Sequence, residues 1–420
     1  MNPIAIACGI FIITYVAIAT EKVHKAVAAL LGAALMLILK VLDQRAAFGA
    51  VDLNVILLLA AMMVIVNILK KTGVFQWLAI KAAKATSGNA LPLMAFLAVI
   101  SALLSAFLDN VTAILLIVPV TLLLTEELRL DPIPFLIAEI MSSNIGGTAT
   151  LIGDPPNIMI GSAAGIGFLS FLLNLGGLCI LMQVALIIGL WLLFRKRLYV
   201  PNILRAKLRE MDERRAITDR KLLWKCSFVL AGTLLGFIVH ETLGLQPASI
   251  AIGGAAFLML ITKVSPDEAL RDVEWSTLAF FTGLFIIVAG LDAVGVIRFL
   301  AEKALRLTGG NLALTSIFVL WFSGFASSFV DNIPYVATMI PIVKSLGSHM
   351  PVRPLWWCLA IGAGFGGNGT IIGASANVVV AGLAARSGYN ISFARFLAYG
   401  LPFLVISLLI STLYVYILYL

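Results

Sequence analysis

Two aspartate–asparagine pairs sit where the chain is otherwise apolar. The first is Phe107-Leu-Asp-Asn-Val-Thr112; the second, 222 residues later, is Phe329-Val-Asp-Asn-Ile-Pro334. A carboxylate at membrane depth is expensive and defaults to a functional role. Two at matched positions of a duplicated chain mark a substrate or ion site at a repeat interface. Asp109 and Asp331 have two chemical readings. Each can carry a proton, because loss of solvation favours the neutral acid. Each can instead ligate a hard cation such as Na+ together with Asn110 and Asn332, through oxygen donors. The structural alternative is a helix cap that accepts N–H bonds from Val111, Thr112 or Ile333, and Pro334 suits a first helical turn. Thr112 adds a hydroxyl to the first tip only.

A second polar pattern also comes twice. Asn144, Thr148, Thr150 and Asn157 are mirrored by Asn368, Thr370, Ser375 and Asn377. Both groups interrupt apolar stretches, and a broken helix presents half-helix N-termini to anions and free carbonyls to cations. Gly146, Gly147, Gly153, Gly366, Gly367 and Gly373 are read as permitting the unwound backbone, with close helix packing as the alternative. Asp154 is the main asymmetry, since the second copy has Ala374 there. Beside Pro155 and Pro156 it is either a third carboxylate of the site or a turn residue at its edge. Glu139 is a secondary candidate for a relay, and Asp292 is placed at a membrane boundary. His24, His240 and His349 lie near span ends or in loops and are read as solvated.

The elements that position these groups follow from composition. The chain is 61% hydrophobic and 12% charged, with a mean hydropathy of +1.07; soluble domains average about 25% charged residues. This, with repeated apolar runs, predicts an all-α polytopic membrane protein embedded in a lipid bilayer. The stretch from Ile4 to Thr20 lacks a basic n-region and a small-residue cleavage pattern, so it reads as a span rather than a cleaved signal. Residues 1–194 give spans near 3–20, 26–42 and 53–69 and an amphipathic piece near 74–86. A re-entrant hairpin over 91–124, a broken helix over 134–164 and a last span over 168–194 follow. A basic linker covers 195–221. Residues 222–420 repeat the order: spans near 222–243, 248–263 and 275–292, an amphipathic piece near 296–306, a hairpin over 311–346, a broken helix over 355–385 and a final span over 395–420.

The register holds residue by residue. Gly32 pairs with Gly254, Asp52 with Glu274, Gly73 with Gly295, Ser105 with Ser327 and Pro119 with Pro341 at the same offset; beyond the hairpin the offset becomes 220, pairing Thr150 with Thr370 and Gly153 with Gly373. An odd number of crossings per half makes these inverted-topology repeats, with about ten transmembrane helices besides two re-entrant hairpins and two broken helices. Eleven Lys or Arg fall between Arg195 and Lys225. That bias places the linker in the cytoplasm of a prokaryotic inner (plasma) membrane. It also accounts for the formal net charge of +8 without a nucleic-acid partner.

Function classes are excluded by what is missing. No nucleophile–base pair or metal-ligand cluster is present, so the chain is not read as an enzyme and no cofactor is expected, Na+ as a coupling ion apart. Cys8, Cys179, Cys226 and Cys358 are isolated and read as small hydrophobes. The loop G-x-x-x-x-G-K-[ST] does not occur, so drive by ATP needs a separate ATPase subunit.

Four stretches carry a family resemblance: Glu21-Lys-Val-His-Lys25, Phe107 to Thr112, Gly146-Gly-Thr-Ala-Thr-Leu-Ile-Gly153 and Gly366-Gly-Asn-Gly-Thr-Ile-Ile-Gly-Ala-Ser-Ala-Asn377. At these motifs, and over nearly its whole length, the sequence resembles the ion transporter superfamily. That group holds arsenite permeases, NhaD-type sodium/proton antiporters, the P-protein branch and sodium-coupled citrate and dicarboxylate carriers. The resemblance implies a scaffold with homodimer contacts, a mobile transport part holding hairpins and broken helices, elevator-like movement and coupling to H+ or Na+. Dicarboxylate carriers bear Ser-Asn-Thr at the hairpin tips; the acidic tips here are closer to the arsenite-permease and P-protein branch. The second acidic tip departs from the better-known bacterial arsenite pumps. The expected function is proton-coupled efflux of arsenite or antimonite, a small inorganic solute that is mostly neutral As(OH)₃ at pH 7. Na+/H+ antiport is the alternative, then a coupled citrate or dicarboxylate carrier.

Overall fold

The structure, a computed structural model, describes residues 2–20, 22–195, 198, 200–201 and 213–420. Most of the 195–221 linker and Glu21 of the first family motif lie outside the described residues. Among the described residues there are twenty α-helices and no strands. The first half holds α1 (Pro3–Ala19), α2 (Lys25–Ile38), α3 (Gln44–Gly49), α4 (Leu53–Lys70), α5 (Val74–Ala85), α6 (Ala90–Phe107), α7 (Asn110–Glu127), α8 (Ile133–Thr148), α9 (Pro155–Ala164) and α10 (Phe168–Phe194). The second holds α11 (Arg220–Val239), α12 (Pro247–Thr262), α13 (Pro266–Arg271), α14 (Trp275–Ala293), α15 (Val296–Leu307), α16 (Leu312–Phe329), α17 (Asn332–Leu346), α18 (Arg353–Gly366), α19 (Ser375–Arg386) and α20 (Phe393–Tyr419).

Each helix of the first half has a counterpart ten helices on. From α2 to α7 the counterparts start 222 residues later, and for α8 and α9 220 residues later. The local signals repeat as well. Gly73 and Gly295 both take left-handed backbone, at φ 74° and 81°, to start α5 and α15, a conformation open to glycine at little cost. The short helices α3 and α13 are absent from the sequence expectation. At six residues each they are too short for hydrophobic periodicity to register, although Asp43 and Ser265 cap them.

The packing is reciprocal. Helix α2 lies on α14 and α12 on α4; α7 lies on α19 and α17 on α9; α6 packs on α8, α16 on α18, and α8 meets α18. Contacts that run from one element to its partner's counterpart, and back, define a pseudo-two-fold relation. Among the described residues, eight helices are long and apolar enough to cross a membrane: α4, α6, α7, α10, α11, α14, α16 and α20. Helices α1, α2, α12 and α19 are apolar but shorter. The broken helices α8–α9 and α18–α19 run through the middle, and every residue from Ile133 to Gly161 is buried.

Candidate functional site

Both hairpin tips are made the same way. An extended residue, Leu108 or Val330, stops the incoming helix, and the following aspartate caps the outgoing one. Asp109 accepts from Thr112 N at 2.9 Å and Thr112 Oγ at 2.5 Å. Asp331 accepts from Ile333 N at 3.0 Å and Ser375 Oγ at 2.5 Å. The cap satisfies helix-end N–H groups that nothing else at this depth would. The neighbouring asparagines, 4% and 2% exposed, turn inward instead.

They meet at Asp154. Its side chain makes no cap bond to α9 although it occupies the cap position. Asn110 Nδ2 donates to Asp154 Oδ1 at 3.4 Å, and Asn332 Nδ2 donates to Asp154 Oδ2 at 2.8 Å. One carboxylate, 2% exposed, thus bridges both hairpin tips, and the reading of Asp154 as an edge-of-turn residue is set aside. With each Nδ2 spent on Asp154, each amide keeps its Oδ1 as an oxygen donor. A cavity of about 500 Å³ adjoins the junction, lined by Asp109, Asn110, Asp154, Asn332, Ser375, His24, Lys25 and Glu274 among others. It therefore presents three carboxylates and one ammonium. Oxygen donors of this kind suit protons or a hard cation.

The other candidates fall into a different layer. Asn157 Nδ2 lies within reach of the carbonyls of Gly147, Thr148 and Thr150 at 3.1, 3.2 and 2.9 Å. Asn377 Nδ2 donates to those of Gly367 and Thr370 at 2.6 and 2.9 Å. Thr150 Oγ donates to Ala106 O at 2.5 Å and Thr370 Oγ to Ser328 O, tying each break to the hairpin arm beside it. Thr148 Oγ is spent on Asn144 O, and Thr112 on Asp109. Apart from Thr112, which belongs to the first tip, these residues bond backbone in or beside the breaks, and none of them lines the cavity. Asn144 Nδ2 donates to Asn368 Oδ1 and Asn377 Oδ1 at 3.0 and 3.1 Å. This amide cluster sits where α8 meets α18, and Asn144 Oδ1 and Asn368 Nδ2 have no partner in it.

Three expectations need correction. None of Gly146, Gly147, Gly153, Gly366, Gly367 and Gly373 takes positive φ, so glycine-only backbone is not what they supply. They supply close approach: a Cβ on Gly146 would lie 2.0 Å from Ala102 O, and one on Gly153 2.6 Å from Ser105 O. His240 is buried rather than solvated, with Nδ1 against Leu245 O at 3.1 Å; His24 caps α2 and lines the cavity. The third concerns Lys25, to which sequence reasoning assigned no site role. Its Nζ donates to Ser375 Oγ at 3.1 Å and stands 5.4 Å from the Phe280 ring centroid. The available signal was its place in the first family motif. Glu274 was missed as a lining residue because it reads as a helix start. Glu139 is fully buried; Thr121 Oγ donates to its Oε1, and Oε2 has no partner.

The citrate transporter family CitMHS matches residues 15–362. An uncharacterized transporter of Mycobacterium tuberculosis is 44% identical over 422 residues, covering 99% of this chain and 98% of its own. The 46 kDa membrane protein of Mycobacterium leprae is 45% identical, covering 99% of each. The human P protein is 34% identical over 98% of this chain, which spans 59% of the P protein's length. Among solved structures, the Alcanivorax borkumensis YdaH transporter, noted for an unusual topology, aligns with a TM-score of 0.54 at 17% identity. That alignment covers 88% of this chain and 85% of the other, and the likeness shows the fold. The Mycobacterium tuberculosis relative is named a transporter, and the family match together with the apolar helices makes this an integral membrane protein. The chain belongs to the CitMHS citrate transporter family, within the ion transporter superfamily, and is a secondary transporter of that type.

Proposed function

We propose that the chain is a cation-coupled secondary transporter whose coupling ion, H+ or Na+, is taken up within the carboxylate group of Asp109, Asp154 and Asp331. The observation that supports this most is Asp154, a buried carboxylate met only by neutral amides at the junction of both hairpin tips. Uncompensated charge at this depth is costly. A proton or Na+ on these groups lowers the cost of moving the site, which couples the ion to transport.

The substrate readings divide by which groups they use. Arsenite or antimonite, exported as a neutral hydroxide against H+ entry, suits the Asn144–Asn368–Asn377 amides with their unpartnered atoms. A citrate-type anion is favoured by Lys25, whose ammonium is left to face an anion once cations neutralise the carboxylates. Na+/H+ antiport needs only the oxygen donors already described.

Alternating access draws support from a second cavity of about 340 Å³, lined by Asp52, Ser162, Phe285, Asp292 and Lys344. It is the repeat counterpart of the first, with Asp52 in the place of Glu274, but none of Asp109, Asp154 or Asp331 lines it. Ser162 Oγ donates to Asp52 Oδ2 at 2.5 Å there, tying α9 to the start of α4. The first cavity lies at the end where Asn67 donates to Asp272 O and Thr218 N to Thr72 O. With the 195–221 linker cytoplasmic, that end is the cytoplasmic one. Elevator-like movement of hairpins and broken helices within a homodimer completes the proposal.

The test is flux in proteoliposomes holding a pH-sensitive dye, with Na+, Li+, arsenite and citrate added in turn. Proton movement with arsenite supports metalloid export, movement with Na+ or Li+ alone supports antiport, and movement with citrate alone assigns the site to carboxylates. Uptake of solute with no dependence on H+ or Na+ overturns the coupling.

A further inference from the structure

We propose that Lys25 is a built-in counterion that neutralises Asp331 through Ser375, so that the two repeat-related aspartates are inequivalent and the exchangeable coupling ion belongs to the Asp109–Asp154 half. The proposal rests on the cation-coupling reading above and names how that site is divided.

Hydrogen-bond direction carries the argument. Lys25 Nζ has only protons to give, so Ser375 Oγ accepts from it, at 3.1 Å. The Ser375 hydroxyl then donates to Asp331 Oδ2 at 2.5 Å. The relay is polarised from ammonium to carboxylate. Asp331 Oδ1 meanwhile accepts from Ile333 N, so both of its oxygens act as acceptors. Asp109 and Asp154 also accept on both oxygens, but only from Thr112, Asn110 and Asn332, all neutral. Of three carboxylates at one junction, a single one has a cation in its hydrogen-bond chain.

The placement of Lys25 is fixed from both sides. Its position at the start of α2 leaves the stem to run into the site, and the Phe280 ring on α14 faces the ammonium at 5.4 Å, an attraction that orients the cation. Lys25 and Ser375 line the 500 Å³ cavity and also a neighbouring one of about 300 Å³ that holds Asp331 and Tyr15. The pair therefore stands between the Asp331 side and the Asp109–Asp154 side. The charged groups that also line these spaces are Glu274, Asp109 and Asp154. No ion pair within 4 Å joins Lys25 to a carboxylate among the described residues.

The repeat supplies the second, independent observation. At the positions related by the repeat, Lys25 is replaced by Pro247 and Ser375 by Pro155. Both members of the relay are missing at the repeat-related positions, while the aspartate is kept at both tips. Asp154, the extra carboxylate, stands next to Pro155, the position that lacks the relay serine. The Asp331 tip thus has a cation in its hydrogen-bond chain, lent across the repeat by α2, and the Asp109 tip has a second carboxylate beside it and no cation.

Two measurements test this on the full-length protein in detergent. The first is a thermal-unfolding cycle of Lys25→Gln, Asp331→Asn and Asp109→Asn. Lys25→Gln is expected to lower the Tm, and Asp331→Asn to recover it in the double variant, because the orphaned charge is then gone. Asp109→Asn should give no such recovery, and Ser375→Ala should mimic Lys25→Gln without removing either charge. Equal rescue by Asp109→Asn, or strict additivity of Lys25→Gln with Asp331→Asn, overturns the pairing. The second is titration of the Tm with Na+, Li+ and pH. Lys25→Gln is expected to titrate more steeply than wild type, because Asp331 then needs an ion of its own; an unchanged steepness overturns the division. Wild type that responds to none of these ions removes the coupling reading, and the unfolding cycle still decides whether Lys25 and Asp331 are partners.

Discussion

Gly146→Ala tests the packing that holds the first hairpin against the first broken helix. The added Cβ would fall 2.0 Å from Ala102 O, 2.6 Å from Ala102 C and 2.7 Å from its Cα. Carbon–oxygen contacts across packed helices settle at about 3.3–3.6 Å, so α6 and α8 must part by about 1.3 Å. The obstacle is backbone, and no rotamer relieves it. Overpacking of this kind costs about 1–3 kcal/mol, and the upper end is expected here. Gly366, the counterpart, would set its Cβ 2.7 Å from Gly324 O, and Gly177 on α10 has nothing within 4 Å. Helix propensity alone favours alanine over glycine by about 1 kcal/mol. The expected order of Tm is therefore Gly177→Ala at or above wild type, then Gly366→Ala, then Gly146→Ala. Thermal unfolding followed by tryptophan fluorescence in detergent reads it. If Gly146→Ala matches Gly177→Ala, close backbone approach is not the reason for glycine there.

Further expectations follow from single side chains. Asn157→Ala removes the amide shared by three carbonyls in the first break, at about 1–3 kcal/mol for a carbonyl left unsatisfied; a Tm equal to wild type counts against it. Glu139→Gln replaces a buried carboxylate that has one oxygen unpartnered with a neutral isostere, and an unchanged or raised Tm is expected. A large fall would mean a charged partner for Glu139. Ser162→Ala removes the bond to Asp52 that ties α9 to the start of α4 beside the second cavity. A cysteine introduced as Ala163→Cys should then react faster with an impermeant maleimide, and an unchanged rate refutes that role for the bond.

The repeat, the acidic tips and the two breaks were legible in sequence because each is written in residue types that apolar helices avoid. Asp109, Asp331 and the paired asparagines announce themselves by cost. What those residues do with their hydrogen bonds was not legible. Asn157 and Asn377 look like ligands in sequence, yet their amides tie the backbone of the breaks. The glycines looked like unwinding signals, and their contribution is distance between helices. Lys25 was hidden by its neighbours: beside Lys22 and His24 it reads as loop charge, and only the fold brings it next to Ser375, 350 residues away. Asp154 stood as an asymmetry whose meaning waited on the approach of both tips.

The most direct test is cation-coupled flux in proteoliposomes for wild type and for Asp109→Asn/Asp154→Asn. The double variant keeps neutral side chains at both positions and removes the two carboxylates that have no cation of their own. Solute-dependent proton or Na+ movement is expected in wild type and its loss in the double variant, with the protein still folded by thermal unfolding. Coupled flux that persists undiminished without those two carboxylates would contradict their coupling role.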